Sequence, residues 1–490
     1  MNTHATAAAL TGKTLASKAS LHEPQGRARH SVRAASGGFF RPTNGAHGVT
    51  RPPTPLWFKG ARRSKNSGSP LKVRLLAAIV CGLLGATGIV TSHAGDDHHR
   101  DKSDKYLYIW AGDEQRIHPD FLTVVDFNEN SRNYGRILAT ANAPTSGNEA
   151  HHCHISSDGN VILCGGLLSL LKDQDSIFFF DISKPKKPEF MFSTRAQLSS
   201  ITDDPYPMPN GGYLVTQMGS ASGGAPGRLA EFDRNLQLVH EWPDNPPQEG
   251  FNPHGISVRP ELNLMITSDF INPATTLNVY DGPLEVRGSL RVWNLASRTI
   301  VRTIPIPPAI GTMDCKLIPD DPNVGAYACG MFDPGGSHLY YIDVKTGTYT
   351  QAFDIDALLP DGLTQIFDIT HDGTRMVVAA SRFNAFGPEA GLVALLDITD
   401  RTHARVLSSV DLGFGSAPHD LMLTHDETRV VVTDYFLDED GFGIVHFDGD
   451  HKVHVLKLEG DQLSLDPRFQ LDFNTAFPGL RARPHGLDAK

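Results

Sequence analysis

The chain repeats one hairpin, in which a polar residue lies seven positions before an acidic residue at a tight turn. The pairs with this spacing are His151 and Asp158, His254 and Glu261, His419 and Asp426, and Gln365 and Asp372. A further histidine, His485, follows a proline near the C-terminus, as His254 and His419 do. A repeat of this kind is typical of solenoid and radial folds, in which equivalent residues of successive repeats occupy equivalent places.

Short strands separated by Gly, Pro, Asp and Asn turns follow one another from about residue 105, and no amphipathic helix of ordinary length interrupts them. Regularly spaced strands predict an all-β fold. The repeats have a period of roughly 50–60 residues, as four-stranded propeller blades do. They begin near His151, Met208, His254, Cys315, Gln365 and His419.

These repeats account for six blades, and strands remain at both ends of the chain. Residues 105–141 contain three predicted strands, and the C-terminal segment RARPHGLDAK contains one more. We interpret the four as one further blade, because pairing the two ends leaves no exposed sheet edge. The sequence therefore predicts a seven-bladed β-propeller over residues 105–490, with one blade closed by N- and C-terminal strands.

The segment before the propeller is basic, and Glu23 is its only acidic residue before Gly95. Residues 1–71 have the composition of a disordered segment, or of an extension created by a misassigned start codon. Residues 72–94 combine a basic start, a long apolar run and small residues, which is the pattern of a signal peptide. Residues 95–104 are interpreted as a linker.

Cleavage after Ala94 predicts a periplasmic or secreted protein without stable membrane association. The alternative is an uncleaved membrane anchor, although the apolar run is slightly short for a full span. The net charge of −11 argues against a nucleic-acid partner. Nothing in the sequence predicts an oligomeric state.

Four cysteines remain after the predicted cleavage, and they lie in two pairs around turns. Cys153 and Cys164 flank one turn, and Cys315 and Cys329 flank another. Each pair could form a disulfide across its hairpin in an oxidising compartment. The alternative, which we favour, is four buried free thiols. Because the chain has no CxxC motif, a thiolate zinc site is not predicted.

Four histidines at equivalent positions in different blades predict one metal site near the propeller axis: His151, His254, His419 and His485. Neutral imidazoles that converge are ligands for copper, zinc, iron or nickel. The alternative is a hydrogen-bonded polar plug of the central channel. His371 and His425 fall in turn loops and are predicted to be surface residues.

Further polar residues on the inner strands are candidates for supporting roles. Alternation along a strand predicts that His152 points away from the face of His151. His152 is therefore a candidate for contact with a metal ligand, instead of with the metal, or for contact with the neighbouring blade. His154 is a further possible ligand. Asp314, Gln365 and Asp368 are expected to orient imidazole N–H groups.

Several segments of the chain resemble the selenium-binding protein/methanethiol oxidase family. They include EAHHCHIS, SIFFFDISKPKKPEF, LTQIFDITHDGTRMVVAAS, PHDLMLTHDETRVVVTDY and LDPRFQLDFNTAFPGL. The resemblance runs from about Tyr106 to the C-terminus and implies a seven-bladed propeller. Bacterial secreted members of that family oxidise methanethiol to formaldehyde, hydrogen peroxide and sulfide, and they use copper as the metal. The resemblance therefore also implies a copper site and this activity.

The chain departs from the family pattern in its metal-binding and thiol-containing segments. The family's Cys-Ser-Ser-Cys segment is replaced by SDGNVILCGG, so a selenium-binding role tied to that segment is not expected. The family's His-Thr-Ser-His run is replaced by DPYPMPN. His254 and His419, in contrast, lie where other members often have no histidine.

The predicted function is that of a secreted, copper-dependent oxidase that uses O₂ and a small thiol or related reduced compound. One alternative is a four-histidine iron dioxygenase that cleaves an alkene-type substrate, which is similar to carotenoid-cleaving dioxygenases in ligand type. The other is a non-enzymatic propeller that binds a ligand or protein. The sequence contains no phosphate-binding loop and no GxSxG motif, and it does not identify the substrate.

Overall fold

The structure, a computed structural model, describes residues 103–248, 250–276, 284–384, 387–439 and 445–490. All of these lie in the unit that spans residues 96–490. The predicted N-terminal extension (1–71) and signal peptide (72–94) lie outside the described residues. Within the described part of the chain, no helix is both long and apolar enough to span a membrane.

The described chain forms a seven-bladed β-propeller, as predicted, in which each blade is an antiparallel sheet of four main strands. We number the blades 1 to 7 in chain order. Their innermost strands, from blade 1 to blade 7, are Ala482–Ala489, Ala150–Ile155, Ser199–Pro207, Pro253–Arg259, Thr312–Leu317, Leu363–Ile369 and Pro418–Leu423.

The remaining strands lie progressively further from the axis. In blade 1 they are Tyr106–Asp113, Pro119–Asp126 and Ile137–Ser146, and in blade 2 they are Val161–Gly166, Ile177–Asp181 and Glu189–Thr194. In blade 3 they are Tyr213–Ser220, Arg228–Phe232 and Leu238–Trp242, and in blade 4 they are Leu264–Ile271, Val286–Asn294 and Thr299–Pro305. In blade 5 they are Gly325–Gly330, His338–Asp343 and Thr348–Asp354, and in blade 6 they are Arg375–Asn384, Gly387–Asp397 and Arg405–Gly413. In blade 7 they are Arg429–Asp434, Lys452–Glu459 and Gln462–Leu465.

A few shorter elements lie between or beside the blades. Leu471–Asp472 adds to blade 7, and Phe436–Glu439 pairs with Val445–Asp448 in a separate hairpin. Phe473–Ala476 is the single α-helix among the described residues. Short 3-10 helices span Ser169–Lys172, Pro260–Leu262, Pro273–Thr275 and Ile355–Ala357.

The first blade is closed by both ends of the chain, as the sequence predicts. Tyr106–Asp113 pairs antiparallel with Ala482–Ala489, and Leu107 faces Ala489. Asp104, assigned above to the linker, is already buried and accepts a hydrogen bond from the His425 backbone N–H at 2.9 Å. The chain is thus already hydrogen-bonded to the propeller at Asp104.

Apolar side chains fill the space between neighbouring blades. Between blades 1 and 2, for example, the fully buried Trp110 ring lies 5.6 Å from that of Phe178 and 5.5 Å from that of Phe180. The Trp110 indole N–H donates to the Gly165 carbonyl at 2.8 Å. Because every blade packs against two others, the inner strands are held at fixed positions around the axis.

Each of the seven inner strands carries a register shift where it pairs with its neighbour in the same blade. Such β-bulges re-aim side chains and interrupt strict alternation. In blade 2 the shift lies between Ala150 and Cys153, so it includes His151 and His152. The bulges therefore decide which side chains face the axis.

Carboxylates on the inner strands connect one blade to the next. Asp204, Asp314, Asp368, Asp420 and Asp488 each accept a hydrogen bond from a backbone N–H of the following blade: in the same order, those of Ile256, Phe367, Leu423, Leu487 and Ile155. Hydrogen bonds to charged groups are stronger than neutral ones, at about 1.5–3 kcal/mol each. These carboxylates thus tie the ring together around its channel.

The four described cysteines are buried free thiols, which is the alternative favoured from the sequence, and neither possible disulfide is present. Cys153 and Cys164 lie directly opposite each other in their hairpin. Cys315 instead faces Ala328, which places Cys329 one position out of register. Adjacent residues of a strand point to opposite faces, and the second hairpin therefore does not bring its two thiols together.

Candidate metal centre

The bulges bring the four predicted histidine ligands to one buried cluster. The ring centre of His151 lies 4.3 Å from that of His485, 6.3 Å from that of His419 and 6.4 Å from that of His254. An imidazole whose nitrogen is about 2.1 Å from an ion has its ring centre about 3.2 Å away, so ligands of one ion have ring centres up to about 6.4 Å apart. The ring of His151 lies within this limit of each of the other three.

His152 belongs to the same cluster, contrary to the prediction that it points to the other face. Its ring stacks on that of His151 with the centres 4.3 Å apart and lies 5.3 Å from that of His485. The physical reason is the bulge between Ala150 and Cys153, which breaks the alternation that the prediction assumed. One ligand atom each from His151, His152 and His485 lies within 4.8 Å of the other two.

Asp203 is a site residue that the sequence analysis missed. The repeat spacing predicts that blade 3 starts near Met208, whereas its inner strand is Ser199–Pro207. Asp203 lies on that strand, and its Oδ2 is 3.1 Å from His151 Nε2 and 3.4 Å from His254 Nε2. A signal was present: Asp203 lies seven positions before Asn210, but the turn residue there is an amide rather than an acid.

Three of the predicted ligands have one ring nitrogen directed at a fixed oxygen. His485 Nδ1 lies 2.8 Å from the Ala150 carbonyl, His419 Nδ1 lies 2.8 Å from Gln365 Oε1, and His151 Nε2 faces Asp203. An N–H that donates to such an oxygen fixes the tautomer and leaves a lone pair on the other nitrogen. Gln365 thus contacts one of the predicted ligands, His419.

Several buried atoms of the cluster make no hydrogen bond to any described residue. They are His152 Nε2, His254 Nδ1, His419 Nε2, His485 Nε2 and Asp203 Oδ1. Leaving a buried polar group without a partner costs about 1–3 kcal/mol. A metal ion that accepts the nitrogen lone pairs would remove this cost. The donor set of imidazoles and one carboxylate therefore fits a transition-metal ion.

Burial keeps the predicted ligands in the neutral form that binds metals. It lowers the pKa of His151 to about 4 and also lowers that of His254. The pKa values of His419 and His485 lie well below the ordinary range, chiefly because of burial and then because of the neighbouring imidazoles. Neutral imidazoles have a lone pair available at neutral pH.

His152 differs from the other four because its environment favours the charged form. Burial acts against that charge, but contacts with the Asp203 and Asp420 carboxylates outweigh it and raise the pKa of His152 to about 9. Despite its own burial, Asp203 has a pKa held well below the usual range by His254, His151 and His152. The centre thus contains one ion pair, between His152 and Asp203, beside four neutral imidazoles.

A cavity of about 380 Å³ adjoins the cluster. Its polar residues are Thr275 and Thr276 together with His151, Asp203, His254, Gln365, His419 and Tyr435. Its apolar walls include Leu167, Leu168, Ile201, Met218, Phe270, Met313, Met331 and Phe332. The Tyr435 ring also stacks on that of His485, with the centres 3.8 Å apart. An ion held by the histidines would therefore lie beside a mostly apolar chamber.

Three other predicted residues lie outside the histidine cluster. The side chain of His154 is 41% exposed and lies between Asp204 and Asp488, at 3.5 and 3.3 Å. Asp314 and Asp368 were expected to orient imidazoles, but their hydrogen bonds go to backbone N–H groups and, for Asp314, to Lys316. In blade 5 the bulge brings Met313 to the cavity instead of Asp314.

The profile of the 56 kDa selenium-binding protein family matches residues 93–314. A hypothetical selenium-binding protein from Sulfolobus tokodaii has a similar fold, with a TM-score of 0.65 and 14% sequence identity. The similarity covers 80% of this chain and 95% of that protein.

A weaker structural likeness relates the chain to a putative 6-phosphogluconolactonase from Bacteroides fragilis. The TM-score is 0.48 at 12% identity, over 79% of this chain and 98% of that protein, which is too low to support a functional argument. No curated protein sequence matches the chain. Over residues 93–314 the chain is thus similar to the 56 kDa selenium-binding protein family, which includes the methanethiol oxidases, and its propeller fold is similar to that of the Sulfolobus tokodaii protein.

Proposed function

We propose that this chain is a copper-dependent oxidase of a small apolar thiol. The observation that carries the proposal is the buried histidine cluster. His254, His419 and His485 each have one ring nitrogen without a hydrogen bond to any described residue, and all five histidines surround the same channel. The similarity of residues 93–314 to the family that includes the methanethiol oxidases agrees with this activity.

His151, His254, His419 and His485 would hold the ion, and His152 lies within ligand distance of His151 and His485. Imidazole nitrogen suits copper, and copper when bound would supply one-electron redox chemistry and a binding position for sulfur or O₂. Asp203 orients His151 and His254 through its carboxylate, and Gln365 orients His419. Such outer contacts fix ligand geometry.

The cavity walls would bind the organic part of the thiol. Phe270, Met218 and Leu168 contribute apolar surface, and most of the polar cavity residues lie at the histidine cluster. A thiol bound in this chamber therefore has its alkyl group against the walls and its sulfur towards the imidazoles. The apolar surroundings also exclude water, which strengthens the electrostatic interactions at the site.

The proposed reaction is balanced as CH₃SH + O₂ + H₂O → HCHO + H₂S + H₂O₂. The thiol carbon is oxidised by two electrons while O₂ is reduced by two electrons to peroxide. The carbon–sulfur bond breaks and water supplies the aldehyde oxygen. The same stoichiometry applies to a longer primary thiol, which would release the corresponding aldehyde.

The test is to load the full chain with copper and measure the three products from methanethiol. We expect aldehyde, sulfide and peroxide in equal amounts, and at least a 100-fold loss of turnover in His419→Ala, since a ligand and its orienting contact are both removed. His403→Ala, at an exposed position, is the matched control. Equal turnover in the two variants would contradict the proposal, as would an active protein that holds iron and cleaves an alkene.

We also propose that the protein is exported, because residues 72–94 have the pattern of a signal peptide. N-terminal sequencing of protein recovered from the periplasm or medium should give a start near Gly95. Recovery of an intact residue 1–70 segment in the membrane fraction would count against export.

A further inference from the structure

A second cluster of metal-ligand side chains lies in blade 7, apart from the central histidines. Asp434 ends the second strand of that blade, Asp450 precedes the third strand, and His454 lies on the third strand. His454 Nε2 is 3.4 Å from Asp450 Oδ2 and 3.8 Å from Asp434 Oδ1. One ligand atom from each residue lies within 4.8 Å of the other two.

Two of these atoms are buried and make no hydrogen bond to any described residue. They are Asp434 Oδ1 and His454 Nε2, which face each other across the cluster. The Asp434 side chain is fully buried and that of His454 is 9% exposed. The other oxygen of Asp434 accepts hydrogen bonds from the Ala417 and Asp450 backbone N–H groups. Oδ1 and Nε2 thus remain available to bind a third group.

Blade 4 shows how the same position is satisfied when a permanent cation is present. Asp269 lies near the end of the second strand of blade 4, and Asp434 ends the second strand of blade 7; each accepts a hydrogen bond from a backbone N–H of the segment before the inner strand. In blade 4, Arg291 on the third strand lies 2.6 Å from Asp269 Oδ2, and the Ser289 hydroxyl donates to the same atom at 2.7 Å. The buried Asp269 charge is therefore neutralised within the blade.

Blade 7 has no such arginine among the residues around Asp434, and it adds a second carboxylate instead. His454 occupies the third strand where blade 4 has Arg291, and Asp450 lies beside it. The half-exposed Lys452 donates from Nζ to Asp450 Oδ2 at 2.5 Å, so its charge is paired with Asp450 and not with Asp434. Among the described residues, no lysine or arginine forms an ion pair with Asp434, whereas Arg291 pairs with Asp269 in blade 4.

We propose that Asp434, Asp450 and His454 bind a divalent cation of the zinc class. One imidazole nitrogen and two carboxylate oxygens form a ligand set that zinc accepts, with bonds of about 2.0–2.2 Å. Ligand atoms of a tetrahedral ion at that distance lie about 3.3–3.6 Å apart. The observed spacings of 3.4 and 3.8 Å need only a small contraction. A fourth position would remain for water.

The ion would join two strands of blade 7 beside the central cluster. Asp434 directly precedes Tyr435, whose ring stacks on His485. A cation that fixes Asp434 therefore also fixes the end of the strand that positions Tyr435. The role is structural, because Asp434, Asp450 and His454 are not among the residues that line the central cavity.

The test is the zinc stoichiometry of the full-length chain, stripped with a chelator and titrated with Zn²⁺ alone under native mass spectrometry. Asp434→Asn and His454→Ala should each bind one zinc fewer than the unaltered chain, whatever the central histidines bind. Asp434→Asn keeps an oxygen that can accept the Ala417 N–H. His403→Ala, which removes an exposed histidine 3.4 Å from Asp400, should bind as much zinc as the unaltered chain.

A double variant, His254→Ala with His419→Ala, separates this site from the proposed active site. Blade 7 keeps its own ligands in that variant, so it should still bind one zinc even if oxidase activity is lost. Absence of zinc from the double variant would overturn the proposal, as would unchanged stoichiometry in both blade 7 variants. In either case a charged His454 paired with the two carboxylates would explain the cluster.

Discussion

Asp203 is the carboxylate on which two of the central imidazoles depend. It lies on the inner strand of blade 3, in the bulge position that histidines occupy in neighbouring blades. Its Oδ2 is within 3.4 Å of nitrogens of both His151 and His254. Its negative charge also balances the charged form of His152. One residue thus sets the tautomer of two ligands and the charge of a third histidine.

Asp203→Asn should weaken copper binding by roughly 10–100-fold, as loss of an orienting carboxylate typically does. The amide is nearly isosteric, so the fold should be retained, but the histidine contacts lose their charged partner. Copper titration with elemental analysis measures the effect. Asp461→Asn, at an exposed position, is the control and should bind copper normally. Equal affinities in the two variants would show that Asp203 has no part in the site.

His425 provides a pH-dependent contact far from the metal centre. Its ring nitrogen lies 2.7 Å from Asp104, and this contact raises its pKa above the ordinary value. A raised pKa means that the stabilisation is fully present below about pH 6.5 and is lost as the pH rises through the folded-state pKa. Because the side chain is 57% exposed, the contribution should be no more than about 1 kcal/mol.

His425→Gln should therefore lower the free energy of unfolding more at pH 5.5 than at pH 8.5. Denaturant unfolding of the mature chain at the two pH values measures the difference. A loss of the same size at both pH values would exclude the charged contact as its origin.

At the scale of the strand, the repeat spacing predicted which strands lie at the axis, but it could not predict their bulges. Alternation along a regular strand separates His151 from His152, whereas the bulge stacks their rings. The bulge in the inner strand of blade 5 likewise places Met313, and not Asp314, at the cavity. A bulge results from pairing with a neighbouring strand and has no consistent signature in one sequence. The supporting residues were therefore harder to predict than the four repeated histidines.

The C-terminal strand is the element that both closes blade 1 and supplies His485. Ala482, Leu487 and Ala489 on this strand are buried, and Arg483 lies 3.0 Å from the buried Glu149. Loss of one buried leucine alone costs about 2–5 kcal/mol, and 1 kcal/mol corresponds to about 2–4 °C in domains of 150–250 residues.

Deletion of residues 481–490 should lower the melting temperature by about 10 °C or more and abolish copper binding at the centre. Thermal unfolding and elemental analysis of the truncated and intact mature chains measure both effects. A truncated chain with unchanged melting and full copper content would show that the C-terminal strand does not close the ring.

At the scale of the whole molecule, strand spacing and the unpaired ends were enough to predict seven blades and their closure. Blade 3 was the exception, since its inner strand carries no histidine and its start was placed near Met208. The cavity was beyond prediction because its walls come from loops and strands of several blades, including Leu168, Phe270 and Met331. Its apolar character bears directly on the choice of thiol.

A cavity of about 380 Å³ is within the size range of pockets that enclose drug-sized ligands. We therefore expect longer alkyl thiols to bind more tightly than methanethiol, by about fourfold in KM for each added methylene that is buried. A series from methanethiol to butanethiol, followed by peroxide release, measures this slope, and a thiol carrying a carboxylate should be a poor substrate. A KM that does not change along the series would show that the apolar walls do not contact the substrate.

The proposed oxidase requires one metal ion held by histidines of several blades at the propeller axis. Anomalous diffraction at the copper edge, from crystals of the copper-loaded mature chain, locates such an ion directly. We expect an anomalous peak about 2.0–2.2 Å from ring nitrogens of His151, His254, His419 and His485. A well-occupied copper peak elsewhere, with these imidazoles bound only to one another and to Asp203, would contradict the proposal and identify the cluster as a polar plug of the channel.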